Sequence, residues 1–347
     1  MKKLVIITYL ILVILNCSKS EYEQAKEIYQ KSTFQKNYGK RSATLEDAIA
    51  KLKTTVQKEP ENLNAKILLW KCYIKTGNLQ KQQIRDQLLN ERQKLLPALI
   101  KQLEDRDELV RQQIVTLMGE LDNPDSVPIL INILETDEYQ NVQRAAAEAL
   151  AKLKDNRAIP PLLAKLDSSY PLVRHYAVTA LKNFNDAIII KKLVAVLSNA
   201  EETIDVRHQA ALSLGEIGNK IAEPELLQIY QSSDQPVESK LLAVTALGML
   251  NTPTGFDFAM EFVNSNQPYL VGLALTALGH IKNSQALPIL IDYLKYGNKA
   301  QRAIAAEALG NLGDSTAIPA LNQATSDPSS SVNKASQTAL EKLQQKN

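Results

Sequence analysis

The sequence predicts an all-α protein built as a solenoid of stacked helix pairs. A short pattern recurs eight times between residues 94 and 347, with a period of 31 to 33 residues. Such a period is typical of one supersecondary unit stacked on copies of itself. Only 5% of the residues are aromatic, which suits thin layers packed from Leu, Ile, Val and Ala. Each copy ends in a large apolar landmark residue: Leu121, Leu153, Phe184, Ile217, Leu250, Ile281, Leu312 and Leu343.

Residues 1–16 have the pattern of an export signal. Lys2 and Lys3 precede a 12-residue apolar run that is broken only by Thr8 and Tyr9. A run of this length is too short to span a bilayer comfortably but suits the core of a signal peptide. It ends shortly before Cys17, so residues 1–16 are predicted to direct export.

This segment resembles a bacterial lipoprotein signal, in which the acylated cysteine is the first residue of the mature protein. The resemblance implies lipidation of Cys17 and a place in the bacterial cell envelope, although Asn16 departs from the usual Gly or Ala before the cysteine. Ser18 is not the Asp that retains lipoproteins at the inner membrane in some bacteria, which favours the outer membrane. The alternative is an uncleaved anchor or a plain secretory leader.

Two segments separate the signal from the repeats. Residues 17–44 are predicted to form a polar tether that merges into a first helix near residues 21–31. Residues 45–93 resemble a tetratricopeptide (TPR) pair, since Pro60 stops a first helix and Gly77 caps a second. We expect this TPR-like segment to cap the solenoid. Within it, Cys72 follows helical spacing with Leu68, which indicates a buried apolar role.

Each unit of residues 94–347 is predicted to contain two helices. The first helix usually has a proline in its opening turn, where the early N–H groups have no intrahelical acceptor. The second helix has an apolar stripe at positions −3, −4, −7 and −11 before the landmark. Glycine recurs at position −2 despite its low helix propensity, which indicates close helix contact or early helix termination: Gly119, Gly215, Gly248, Gly279 and Gly310.

These features resemble HEAT repeats, and more narrowly the bacterial class related to phycobilisome-lyase HEAT-like repeats. The motif appears as VRHQAALSLGEI at 206–217 and as ALGNLGDSTAIP at 308–319. The resemblance covers residues 94–347 and implies a right-handed α-α superhelix. It implies little about function, because function on such scaffolds depends on surface residues.

A basic residue recurs at position −10 of the second helices. We interpret this row as a structural ladder, in which each cation bonds turn carboxylates and carbonyls within or between neighbouring repeats. The alternative is a cationic stripe for an acidic partner. The residues are Arg111, Arg174, Arg207, Lys240 and Arg302.

Positions −9 and −5 are expected to face outward, on the face that is concave in HEAT solenoids. In the middle repeats this face departs from the polar pattern, because two leucines and a nearby methionine join two histidines. An apolar patch on a polar surface is a candidate groove for a segment or helix of a protein partner. The alternative is that the leucines pack between adjacent second helices. The predicted partner-binding residues are His175, His208, Leu212, Leu241 and Met249.

The sequence shows no recognisable catalytic or metal-binding motif. It has no Gly-rich phosphate loop and no nucleophile elbow, and His175 and His208 lack the further ligands that zinc requires. We therefore expect no catalytic residues, no metal, no cofactor and no enzymatic activity. Without Lys2 and Lys3, the 40 basic residues become 38, equal to the 38 acidic ones, which argues against nucleic-acid binding.

These observations predict a membrane-anchored lipoprotein scaffold that binds a protein partner through the concave face of a HEAT solenoid. An acyl anchor at Cys17 would hold it at the membrane, and no small-molecule substrate is expected. The alternative from another functional class is an accessory or lyase-type subunit that acts on a cofactor bound by its partner.

Overall fold

A computed structural model describes residues 20–345 except 34, 36, 37 and 253. In this part of the chain every regular element is a helix and no strand occurs, which confirms the predicted all-α class. The predicted signal peptide and Cys17 lie outside the described residues. No helix within the described ranges has the length and apolar character needed to cross a membrane.

Five helices precede the second helix of the first unit, and the last of them is the first helix of that unit. They are α1 (Glu21–Ser32), α2 (Tyr38–Lys58), α3 (Leu63–Thr76), α4 (Lys81–Leu89) and α5 (Arg92–Ile100). The α2–α3 pair lies in the segment that we interpreted as TPR-like, but α2 begins at Tyr38 rather than near residue 45. Asn62 caps the start of α3 by accepting a hydrogen bond from the N–H of Ala65. Gly77 ends it in the left-handed conformation, with φ of 68°, as predicted.

The repeats follow as alternating short and long helices. The second helix of the first unit is α6 (Glu108–Glu120), and the next three units contain α7 (Val127–Thr136), α8 (Gln140–Leu153), α9 (Ile159–Lys165), α10 (Pro171–Leu181), α11 (Ala187–Ser198) and α12 (Ile204–Ile217). The remaining units contain α13 (Glu223–Gln231), α14 (Val237–Met249), α15 (Phe256–Val263), α16 (Pro268–Ile281), α17 (Ala286–Tyr296), α18 (Lys299–Leu312), α19 (Ile318–Ala324) and α20 (Ser330–Gln344).

The chain divides into two compact units. The first, Met1–Asp155, contains α1 to α8, and the second, Asn156–Asn347, contains α9 to α20. In the second unit each long helix packs on the next, from α10 through α12, α14, α16 and α18 to α20. Alanines and leucines from the predicted stripe fill the layers between them, and Ala177, Ala210, Ala243, Ala274 and Ala305 are all buried.

The recurring glycines allow this close stacking. A Cβ atom on Gly279 would lie 2.6 Å from the Cα of Ala308 in the following long helix. A Cβ atom on Gly119 would lie 2.7 Å from the Cα of Ala149. Because any side chain at these positions would meet neighbouring backbone, glycine sets the distance between consecutive long helices. Of the two explanations offered from the sequence, close helix contact is therefore the one observed.

Candidate functional site

A cleft opens in the second unit between the first turns of α10 and α12. Its volume is about 540 Å³, within the range of small-molecule sites in proteins. Pro171, Leu172 and Val206 form its apolar part. The polar lining includes both histidines that were singled out from the sequence: His175, Tyr176, Thr203, Asp205, His208 and Gln209.

An arginine–glutamate pair fixes the two sides of this histidine cleft relative to each other. The Arg174 side chain on α10 donates from Nε and from one terminal nitrogen to the two Glu202 carboxylate oxygens, at 2.6 and 2.7 Å. Its other terminal nitrogen donates to the Ser168 carbonyl at 2.6 Å. Glu202 also accepts from the N–H of Thr203, which lines the cleft, at 2.6 Å. A bidentate, charge-assisted pair of this kind restricts the relative position of the helices.

His208 is held in the cleft as a neutral imidazole. Burial lowers its pKa, and although Glu307 and Asp205 favour the charged ring, they do not offset the burial. The Nε2 atom is shielded from solvent, and it forms no hydrogen bond among the described residues. The free nitrogen of a neutral ring can accept or donate a hydrogen bond, depending on the tautomer. His208 therefore lines the cleft and carries a shielded ring nitrogen that the fold itself does not use.

His175 forms the opposite side of the histidine cleft. Its ring meets that of Tyr176 edge to face, with centroids 5.7 Å apart. His175 is close enough to His208 to oppose its protonation. The third histidine of the chain, His280, is also within electrostatic reach of His208. No group of three His, Cys, Asp or Glu side chains within the described ranges could hold a metal ion.

The predicted apolar patch does not form as expected. Leu241 is fully buried, so its prediction as an exposed groove residue is wrong. The physical reason is that position −9 points toward the neighbouring repeat: the equivalent Gly272 lies against the Ile304 side chain of the following long helix. The alternative, in which this leucine packs between long helices, is the one observed.

Leu212 and Met249 are half-buried and lie outside the histidine cleft. The Met249 side chain occupies the space beside Gly215, where it fills the gap between α12 and α14. The structure therefore brings His175 and His208 together in one cleft, whereas Leu212, Leu241 and Met249 do not line that cleft.

The basic row at position −10 forms a ladder at three of its five positions. Arg111 binds Asp137 at 3.0 Å and the Asp105 carbonyl at 2.7 Å. Arg174 binds Glu202 and Ser168 as described, and Arg302 binds Asp327 at 2.8 Å and the Gly297 carbonyl at 3.1 Å. The hydrogen bond that Arg111 donates to Asp137 raises the pKa of Arg111 against the effect of burial.

The other two positions of the row differ. Arg207 is buried and donates to the Ser239 hydroxyl at 2.8 Å instead of to a carboxylate. Lys240 enters no such contact in the part of the chain that the structure describes. The ladder is therefore a set of links between successive repeats that is interrupted in the middle of the second unit.

Only two of the nine residues that line the cleft, His175 and His208, were predicted from the sequence as binding residues. Tyr176, Asp205 and Gln209 were not singled out, although they line it together with the two histidines. Asp205 and Gln209 flank His208 at spacings of three residues and one residue, so their proximity could have been read from the sequence. Tyr176 follows His175 directly, and only the observed helix packing shows that it faces the cleft.

Several curated proteins are similar to parts of the chain. Deoxyhypusine hydroxylase from Candida albicans is 35% identical over 85 residues, which is 24% of this chain and 27% of that protein. The bilin biosynthesis protein PecE from Nostoc is 43% identical over 60 residues, 17% of this chain and 24% of that protein. The chain thus matches about a quarter of the length of these relatives.

Solved structures with similar folds include the complex of CpcE and CpcF of phycocyanin lyase from Nostoc. One of its chains aligns with a TM-score of 0.42 and 20% identity, covering 71% of this chain and 93% of that chain. Human deoxyhypusine hydroxylase aligns with a TM-score of 0.36 and 19% identity, covering 77% of this chain and 99% of that chain.

The relatives correct one expectation from the sequence. We expected a protein without enzymatic activity, because no catalytic motif was recognised. That expectation is contradicted by the matched relatives, which include a hydroxylase, an enzyme by name, and a protein of bilin biosynthesis. The missing motif was weak evidence, since short motifs identify only some kinds of catalytic site.

Family models cover most of the repeat region. The HEAT repeats model matches residues 96–182, 159–240 and 223–301, and the PBS lyase HEAT-like repeat model matches residues 301–327. Together these matches account for well over half of the chain and agree with the stacked helix pairs of the structure. The chain belongs to the family of HEAT-repeat proteins.

Proposed function

We propose that the chain is an accessory or lyase-type subunit that binds a partner protein and acts on a small group carried by that partner. The proposal places the chemistry in the histidine cleft. It replaces the simpler scaffold that we favoured from the sequence, and it keeps the expectation of a protein partner. Its support is the cleft together with relatives that are named for bilin biosynthesis and for hydroxylation.

The single observation that supports the proposal most is the state of His208. A buried neutral imidazole with an unsatisfied Nε2 lowers the stability of the fold, and a bound group that hydrogen-bonds to this nitrogen would offset the loss. In the cleft it can serve as a general base or acid toward a bound group. His175, Tyr176 and Gln209 add hydrogen-bonding groups around it, and Leu172 and Val206 provide apolar contact.

The size of the cleft favours a group on a partner over a whole protein segment. A cavity of about 540 Å³ suits a small organic molecule, whereas a docked helix would need a long groove. Leu172 lines the cleft and Tyr170 precedes Leu172 by two residues in the chain, with 43% and 56% of their surfaces open to solvent. Exposed apolar side chains of this kind offer a contact surface for the protein that presents the group.

Site-specific crosslinking tests partner binding at this place. A photoreactive residue at position 172, introduced in the native cell, should capture one defined protein, which mass spectrometry then identifies. The matched control is position 221, where Ile221 is 59% exposed but lies beyond the opposite end of α12. Capture of the same proteins from both positions, or of none from position 172, would contradict the proposal.

We also propose that lipidation of Cys17 anchors the protein in the bacterial cell envelope, with the outer membrane favoured. The support is the signal-like pattern of residues 1–16. A single acyl chain gives marginal membrane binding, so stable anchoring requires more than one chain. Cys17→Ser should release the protein from the membrane fraction; a variant that stays bound as firmly as the native protein would refute the anchor.

A further inference from the structure

A second cleft lies in the first unit, far from the histidines in sequence, and its lining is rich in charged residues. It has a volume of about 500 Å³ and opens between α1, α3 and the segment that joins α5 to α6. Four basic side chains line it: Lys26, Lys71, Lys101 and Arg106. Glu104 and Asp105 are the acidic residues in the same lining, and Lys26 also lies 3.8 Å from the Glu23 carboxylate. The four basic groups thus exceed the three nearby acidic groups by one.

Asp105 and Lys71, which both line the cleft, neutralise each other within the fold. The Lys71 ammonium lies 2.8 Å from one Asp105 carboxylate oxygen, and the Tyr29 hydroxyl donates to the same oxygen at 2.7 Å. Burial opposes ionisation of Asp105, but the charge and hydrogen bond of Lys71 outweigh it and hold the pKa of the carboxyl below its usual range. The charge of Asp105 is thus neutralised within the protein.

Behind the cleft, three basic side chains share only two carboxylates, which leaves an excess of one positive charge. Arg41, Lys71 and Lys75 surround two carboxylates, since Asp107 binds Arg41 at 2.7 Å and Asp105 binds Lys71. The Lys75 ammonium is left 3.8 to 3.9 Å from both carboxylates, without a hydrogen bond among the described residues. It lies 4.2 Å from the centre of the Tyr29 ring. Burial lowers the pKa of Lys75, as expected for an ammonium that lacks full compensation.

We propose that this N-terminal cleft binds a phosphate group, either of a soluble phosphate compound or of an anionic lipid headgroup. Several lysine and arginine donors around one recess favour an anion with several acceptor oxygens. The aromatic faces of Tyr22 and Tyr29 and the amide of Asn64 would contact the remainder of the molecule. A bound anion would also offset the excess positive charge behind Tyr29.

Binding can be measured on the full chain carrying Cys17→Ser, so that acylation cannot itself tether the protein to lipid. One arm titrates glycerol phosphate by calorimetry at constant ionic strength. The other arm measures sedimentation with phosphatidylglycerol vesicles and, for comparison, with phosphatidylcholine vesicles. Saturation by glycerol phosphate identifies a soluble ligand, whereas binding to phosphatidylglycerol vesicles alone identifies a lipid headgroup.

The variant for both arms is Lys101→Ala with Arg106→Ala, because both side chains are exposed and their loss should not prevent folding. The matched control is Lys53→Ala with Lys81→Ala, which removes the same charge from exposed positions outside the cleft. Loss of two charge-assisted contacts should weaken binding by about tenfold or more, while the control keeps native affinity. The proposal is overturned if neither probe binds, or if both double variants weaken binding equally.

Discussion

His280 shows how a single residue makes the stability of this protein depend on pH. Its Nε2 atom lies 3.2 Å from the side-chain nitrogen of Asn311, and the oxygen of that amide accepts a hydrogen bond from Lys342 at 2.8 Å. Burial lowers the pKa of His280 to about 4; the nearby Lys342, His208 and Lys282 act in the same direction, and Glu216 opposes them. The ring is therefore neutral in the folded protein at pH 6.

In the unfolded chain the same ring has its ordinary pKa of about 6.5. Below that value the ring binds a proton in the unfolded state but not in the folded state. The free energy of unfolding therefore falls as the pH falls from about 6.5 toward 4. We expect a loss of about 2 to 3 kcal/mol over this range from His280. Urea unfolding between pH 7 and pH 4.5 measures it, with His280→Gln as the comparison because it cannot be protonated. Equal pH dependence of both proteins would contradict the assignment.

Leu241 shows where residue-level prediction fails. The sequence placed it on an outward face by counting along one helix, and at the equivalent positions His175 and His208 line a cleft. In α14, however, nearly every position from 241 to 248 is buried, because the neighbouring long helices cover both flanks. A helical pattern gives the direction of a side chain but not how closely the next helix approaches, so the exposure of position −9 could not be obtained from the sequence.

At the scale of elements, glycines allow the close approach of consecutive long helices. These glycines differ in whether they face backbone or a side chain of the next helix. A Cβ atom on Gly279 would lie 2.6 Å from backbone Cα and 2.8 Å from the carbonyl oxygen of Ala308. A Cβ atom on Gly272, in the same helix α16, would meet only the terminal methyl of Ile304 at 3.1 Å. Backbone cannot move aside as the end of a side chain can.

We therefore predict opposite results for two identical substitutions in α16. Gly272→Ala should leave stability unchanged or raise it by up to about 1 kcal/mol, because alanine favours the helix. Gly279→Ala should lower it by about 1 to 3 kcal/mol, because α16 and α18 must separate. Urea midpoints followed by circular dichroism at 222 nm distinguish the two. If Gly279→Ala proves as stable as Gly272→Ala, the close contact does not determine the helix spacing.

At the scale of the whole molecule, the repeat period was sufficient to predict the helix pairs. The eight landmark residues fall at or within three residues of the ends of the long helices, since each unit must bury the same stripe against the next. The histidine cleft could be predicted only in part. The cleft forms between two consecutive units, where Leu172 and Tyr176 of one helix face Asp205 and His208 of the next. No single repeat contains all of these residues.

The charged groups of the first unit illustrate the same limit. Lys71, Lys75, Asp105 and Asp107 lie about 30 residues apart in sequence, on α3 and on the segment before α6. Nothing in the repeat pattern indicates that they meet, because they lie where the N-terminal helices join the first helix pair. Features shared by every repeat were predictable, whereas the features that distinguish this protein depend on packing between unlike segments.

The central claim is that the histidine cleft acts on a group carried by a partner protein, and the mass of that partner tests it most directly. The partner identified by crosslinking at position 172 is incubated with this protein, and its intact mass is followed over time. The rate at which the mass changes should fall by about 100-fold or more with His208→Gln, and should be unaffected by His280→Gln, which alters a histidine outside the cleft. Equal rates for native protein and His208→Gln, or a partner whose mass never changes, would contradict the account.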